Sequence, residues 1–149
     1  MNDHFSQYIA GRIFIGRLTS GEDIIHTVEN FCRRHGIKLA AFSVTGAVSL
    51  FTIGVFDQKQ QVHVTSRNEI PMEIISCTGN ITLYGENAHV KARIILADQL
   101  GKTSGGCLFS DTLLFAGELQ LIELLGPPAS RVYDQNSGRM LWVTKKLKT

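Results

Sequence analysis

Three side chains in the segment AHVKARIILADQLGKTSGGCLF, residues 88–109, carry chemistry: His89, Lys91 and Cys107. Along a strand, alternate side chains share a face, so His89 and Lys91 point the same way. If a strand beginning near Gly106 pairs back onto this one, Cys107 reaches that face as well. An imidazole beside a thiol reads as base and nucleophile, with Lys91 favouring the thiolate. A desolvated Lys91 amine is a second chemical reading. The structural alternative is a small buried thiol beside a lysine paired to Glu73 or Glu118. Those two carboxylates lie on other strand-like segments and are candidates for the same polar cluster. No oxyanion hole is identifiable, so no residue is assigned a catalytic role and enzymatic activity is the weaker reading.

The glycines before Cys107 invite comparison with a phosphate loop. That pattern, G-x-x-x-x-G-K-[ST], needs a glycine five places before Gly101, and Leu96 stands there. The stretch also reads poorly as a helix start, so no helix dipole is available for an anion. A hairpin loop from Gly101 to Gly106 is expected instead.

The elements that must position these residues follow from periodicity. Tyr8 to Leu18 alternates as a first strand. Ser20 and Asp23 are spaced as a capping box, and Ile24, Ile25, Val28, Phe31 and Cys32 recur at helical spacing. Arg33, Arg34 and His35 put positive charge in the last turn, and Gly36 closes the helix. Thereafter the period is two. Strands are expected at Lys38–Val48, Leu50–Asp57, Gln60–Ser66, Met72–Tyr84, His89–Asp98 and Cys107–Leu124. Pro127 and Pro128 stop the last of these, and Arg131 to Val143 reads as a hairpin turning at Asn136-Ser137-Gly138. Short loops between successive strands favour an antiparallel meander. The class is α+β: mostly antiparallel sheet, flanked by at least one helix.

Composition bounds the function. At 149 residues the chain is expected to be one domain, 1–149, with a core over about 8–125 and a C-terminal extension over 126–149. A net charge of +2 is small for a dedicated nucleic-acid domain. Its three cysteines form no CxxC pair, which excludes a zinc ribbon and a thioredoxin-like motif. The N-terminal residues lack an apolar h-region, and no run approaches the length of a membrane span. A cytoplasmic protein with reduced thiols is expected.

Several stretches, in order and spacing, resemble the plants-and-prokaryotes-conserved (PPC) domain, from about Arg12 to Leu124. They are Ser20-Gly21-Glu22-Asp23-Ile24, Gly46-Ala47, Glu73 through Ile81, His89, Leu96-Ala97-Asp98, Gly101, Gly105-Gly106 and Glu118. The resemblance implies a sheet flanked by helix and a homotrimer. It also implies H-x-H on one strand and a third histidine after Gly-Gly on the next, a set suited to a divalent metal. Here only His89 of that trio is present; Lys91 and Cys107 occupy the other two positions. Two ligands beside an ammonium make a poor site, so neither a metal nor another cofactor is expected.

The family's usual labelling points to a DNA-associated, regulatory homotrimer. This chain lacks the Arg-Gly-Arg-Pro core of an AT-hook. Its basic clusters are Arg33, Arg34 and Lys38, with Lys145, Lys146 and Lys148 in the tail, enough for weak, salt-sensitive phosphate contact. The alternatives are a small-ligand or enzymatic site at His89, Lys91 and Cys107, or a protein-interaction module.

Overall fold

An apolar stripe at i, i+4, i+8 makes Ile24, Val28 and Cys32 the buried side of helix α1 (Ile24–His35). The computed structural model, which describes residues 5–144, starts this helix at Asp23 rather than Ser20. The Asp23 side chain accepts from the His26 N–H at 3.0 Å. Its other oxygen accepts from the N–H groups of Asp111 at 2.6 Å and Thr112 at 3.0 Å. Asp23 therefore outcompetes Ser20 because it caps a helix and pins a distant loop at once. At the other end Gly36 adopts φ 65°, and the Ile37 N–H returns to the Cys32 carbonyl at 2.9 Å. The helix stops as its sequence indicates.

The remainder is strand: β1 (Ile9–Leu18), β2 (Ala40–Asp57), β3 (Val62–Asn68), β4 (Met72–Tyr84), β5 (Asn87–Ala97), β6 (Thr103–Leu108), β7 (Leu113–Leu125), β8 (Ala129–Asp134) and β9 (Arg139–Thr144). All pairings between strands are antiparallel except β4 with β8. The α+β expectation holds, but the simple meander does not. The order is β1-β7-β2-β6-β5-β4-β8-β9, with β3 on β2 and a further pairing of β2 with β4. The strands β2, β4, β5 and β6 thus close a ring, because β2 is long enough to meet β4 with its first half and β6 with its second.

Two sequence boundaries change for local reasons. The two segments expected on either side of Ser49 form the single strand β2, whose pairing with β7 shifts register around Val48. Conversely, the long segment expected over Cys107–Leu124 is two strands. Asp111 takes φ 67°, a conformation aspartate tolerates, and turns the chain between β6 and β7. The expected Gly101–Gly106 loop is shorter too, because β6 already begins at Thr103. Gly106 sits where a Cβ would lie 2.7 Å from the Gly54 carbonyl oxygen, so β6 crosses this close to β2 only as glycine. At Gly46 the constraint is stronger, with φ 129° and a virtual Cβ 2.1 Å from the Ala116 carbonyl oxygen.

The inner face of the sheet and α1 enclose the core, including Val44, Val48, Ile81, Ile94, Leu96 and Leu121. At its rim the Glu123 carboxylate accepts from Arg12 Nε at 2.7 Å and Nη2 at 3.0 Å, while Arg12 also donates to the His35 carbonyl. This guanidinium holds the Glu123 carboxyl below its ordinary value of 4.5.

Replacing Asp23 by Ala is expected to cost about 2 kcal/mol, the upper end for a helix cap, since two loop N–H groups lose their acceptor as well. Ser20→Ala is expected to stay within about 0.5 kcal/mol. Urea unfolding midpoints of the two variants measure the contrast. For Glu123→Gln, the lowered carboxyl fixes the sign: its contribution is complete above the ordinary carboxylate range and disappears as pH falls through the lowered value. The melting-temperature gap between parent and variant should be widest near neutrality and narrow progressively as the pH falls below the ordinary carboxylate value.

Candidate functional site

Strand β6 covers only part of β5, pairing Arg93 to Ala97 with Cys107 to Thr103. The first half of β5 therefore has a free edge. The Val90 N–H there is taken by Glu29 of α1, at 3.0 Å to Oε1. A cavity of about 720 Å³ opens in this gap, bounded by α1, β5, the residues following Cys107 and the β8–β9 hairpin.

Backbone register sets which side chains face it. One row across the outer face of the sheet runs Ile13, Ile122, Ala41, Asn80 and Lys91. The next runs Ile15, Gln120, Ser43, Thr78, Arg93 and Cys107. Lys91 and Cys107 are thus diagonal neighbours across two paired strands, and His89 follows Lys91 on the same face. The three residues singled out in the sequence do come together, and all three line the cavity.

The C-terminal hairpin roofs them. The Lys91 ammonium donates to the Met140 carbonyl at 3.1 Å. Arg131 donates through Nη1 to that same carbonyl at 3.1 Å and through Nη2 to Asn80 Oδ1 at 2.8 Å, with Trp142 beneath its guanidinium at 4.9 Å. Arg139 lies over the Phe56 ring at 4.8 Å. A second cavity, of about 550 Å³, adjoins the first and is lined by Asn80, Arg93 and Trp142 among others. Lys91, Cys107, Arg131 and Arg139 belong to the lining of both.

Positive charge dominates this shared wall. Burial, then the charges of Arg131 and Arg139, push the Lys91 ammonium below its ordinary value, against an opposing effect of Cys107. Burial also lowers Arg131. His63, exposed as its place in β3 suggests, still reaches the cavity lining; burial and then Arg139 and Lys91 lower it. The acidic side chain in the lining is Glu29, already engaged by the Val90 N–H and 3.7 Å from His89 Nδ1. Two polar atoms nearby are buried without a hydrogen-bond partner among the described residues: Thr82 Oγ1 and Arg131 Nε.

Other sequence candidates lie elsewhere. Glu73 and Glu118 line neither cavity. Glu73 is opposite Ala97, whereas Asn80 is opposite Lys91, a separation of roughly 20 Å along β4. Glu118 is opposite Thr45 and Arg17, strands away from Lys91. Lys91 consequently pairs with a backbone carbonyl and not with either carboxylate. Arg33, Arg34 and Lys38 are exposed at and just beyond the end of α1. Lys145, Lys146 and Lys148 lie outside the described residues. Sequence reasoning missed Arg131, Arg139 and Thr82. The two arginines flank the hairpin turn, but nothing local announces that the hairpin folds back over β5.

The sequence profile of the Plants and Prokaryotes Conserved (PCC) domain matches residues 5–125. Among solved structures, the chain is similar to a metal-containing protein from Archaeoglobus fulgidus, at 31% identity and TM-score 0.88 over 92% of this chain and 96% of that one. It is also similar to a plant- and prokaryote-conserved protein from Pyrococcus horikoshii, at 26% identity and TM-score 0.87 over 97% and 99%. A protein from Bacteroides thetaiotaomicron named "putative dna binding protein" shares the fold at 22% identity and TM-score 0.81, over 95% and 100%. No curated protein matches the chain.

A divalent metal does not suit the residues at this site. Among the described residues no three of His, Cys, Asp and Glu gather as a ligand set. The Lys91 ammonium, flanked by Arg131 and Arg139, repels a cation where a further ligand is needed.

The three thiols differ in access. Cys32 and Cys77 are buried, and burial pushes both up to about 12, whereas Cys107 is partly exposed in the cavity wall. Titration of the native protein with a thiol-reactive disulfide at pH 8 should release one equivalent quickly and three after denaturation, and Cys107→Ser should abolish the fast one.

Proposed function

The chain belongs to the Plants and Prokaryotes Conserved domain family, and from that premise we propose that it binds a small organic anion in the cleft beneath its C-terminal hairpin. The observation that carries this reading is the wall shared by the two cavities, where Lys91, Arg131 and Arg139 lie with Cys107 and have no carboxylate partner among the described residues. Cations held together under partial burial repel one another and lose hydration, and a bound anion relieves both costs. Apolar walls from Ile25, Leu83, Val90 and Phe109 give the ligand a body as well as a charged head. We assign His89, Lys91 and Cys107 to ligand contact, leave Glu73 and Glu118 out of it, and assign no catalytic step, metal or cofactor.

The protein acts in this reading as one domain, with a core over about 8–125 and an extension over 126–149 whose β8–β9 hairpin serves as the roof. A homotrimer is supported by apolar side chains that the sheet leaves in solvent, among them Ile13, Ile15, Ile95 and Phe115. Among the described residues no helix is long and apolar enough to cross a membrane. The free thiols Cys32, Cys77 and Cys107 suit a cytoplasmic location.

A DNA-associated role is the second reading, favoured by the name of the Bacteroides neighbour and by exposed Arg33, Arg34 and Lys38. Three such patches in a trimer would supply weak, salt-dependent phosphate contacts and no base readout. The cations of the cleft face inward under the hairpin and are poorly placed for a duplex.

Trp142, the one tryptophan of the chain, stacks on Arg131 and provides the assay. Its emission should change saturably as aromatic carboxylates or phosphates are added at constant ionic strength. Lys91→Met and Arg139→Met should each weaken that response about tenfold, the scale of one charge-assisted contact. Arg33→Ala combined with Arg34→Ala should leave it unchanged. A response absent from the parent protein, or equally reduced by the surface pair, would remove the cleft reading.

A further inference from the structure

The anion-binding reading deepens when unspent donors are compared with unspent charge. Lys91 uses one of its three N–H donors on the Met140 carbonyl. Arg131 uses Nη1 and Nη2 but keeps Nε buried and unpartnered. Arg139 is held through its ring contact with Phe56 and makes no hydrogen bond through its guanidinium among the described residues. Thr82 Oγ1, on a side chain only 1% exposed and opposite His89 in the ladder, also lines the larger cavity without a partner.

Against these donors stand three cations shared by both cavities and one engaged carboxylate, Glu29. A carboxylate ligand brings one negative charge and two oxygens lying in a plane. It leaves most of the positive charge uncompensated, and its lone pairs all lie in one plane, whereas the donors arrive from β4, β5 and both strands of the hairpin. A phosphomonoester brings a charge of about −1.5 to −2 and three oxygens in a tetrahedral spread. That count and shape match the wall. The rest of the ligand meets Ile25, Leu83, Phe109 and Tyr133, apolar and aromatic side chains that line the larger cavity. Aromatic bodies pack against such side chains with little loss of conformational freedom.

Resting on the proposed cleft function, we infer that the ligand is a phosphomonoester of an aromatic or similarly flat apolar group, its phosphate held by Lys91, Arg131, Arg139 and Thr82. The positions at which the family resemblance implies a cation's ligands carry, in this chain, the surroundings of an anion. Two of the four residues named, Arg131 and Arg139, come from the hairpin beyond the family match, which ends at residue 125.

Isothermal titration of the full chain with phenyl phosphate, phenylacetate and inorganic phosphate, at constant ionic strength, tests the inference. Phenyl phosphate is expected to bind at least tenfold tighter than either of the others. Thr82→Val should weaken phenyl phosphate severalfold and leave phenylacetate unchanged, and Arg139→Met, at the more accessible rim, gives a second variant should Thr82→Val fail to fold. Phenylacetate binding as tightly as phenyl phosphate would overturn the phosphate assignment while the anion cleft stands. Inorganic phosphate binding as tightly as phenyl phosphate would overturn the apolar body. If none of the three binds, the inference and the cleft function fall together.

Discussion

One carboxylate joins the two parts of the chain that define this protein. Asp23 caps α1 through the His26 N–H and holds Asp111 and Thr112 by their backbone N–H groups. That second grip lets the chain leave β6 at Leu108 and enter β7 at Leu113. Thr112 completes the junction: its buried hydroxyl donates to the Phe109 carbonyl and accepts from the Thr52 N–H. Because β6 ends there, half of β5 has an unpaired edge, and the cleft occupies the resulting gap. The cleft is therefore a consequence of where a short strand stops.

Charge then gives the cleft its chemistry. Lys91 comes from β5, where it replaces a histidine implied by the family resemblance, and Arg131 and Arg139 come from the hairpin above it. Each is held by a neutral partner: a backbone carbonyl, an amide oxygen or an aromatic face. Neutral partners orient a cation without cancelling it. Arg12 and Arg67, by contrast, are matched by carboxylates, Arg12 by Glu123 and Arg67 by Glu69 and Asp111.

The same contrast explains the cysteines. Cys32 and Cys77 serve as small apolar side chains under the helix and within the sheet, and burial suppresses their ionisation. Cys107 follows two glycines because β6 must press against β2 at Gly106 and still lie beside β5. The glycines belong to strand packing and not to a phosphate loop. They bring the thiol into the cationic wall by the shortest route.

Much of this was legible in the residue order. Helical spacing from Ile24 to Cys32, the stop at Gly36, period-two alternation in β4 and β5, and the shared face of His89 and Lys91 are local properties, set by backbone geometry and side-chain period. The turn residues around Asn136-Ser137-Gly138 likewise announced the last hairpin. Strand order, the closure of β2 onto both β4 and β6, and the break at Asp111 were not legible, since each depends on partners distant in sequence. So does the site: Thr82, Arg131 and Arg139 are ordinary strand residues until the hairpin lies over β5, held by one parallel bridge at Leu83 and Ser130 and by its own arginines. Local periodicity determined which residues share a face. Long-range pairing alone decided which faces meet, because that choice is made by burial and charge summed over the whole fold.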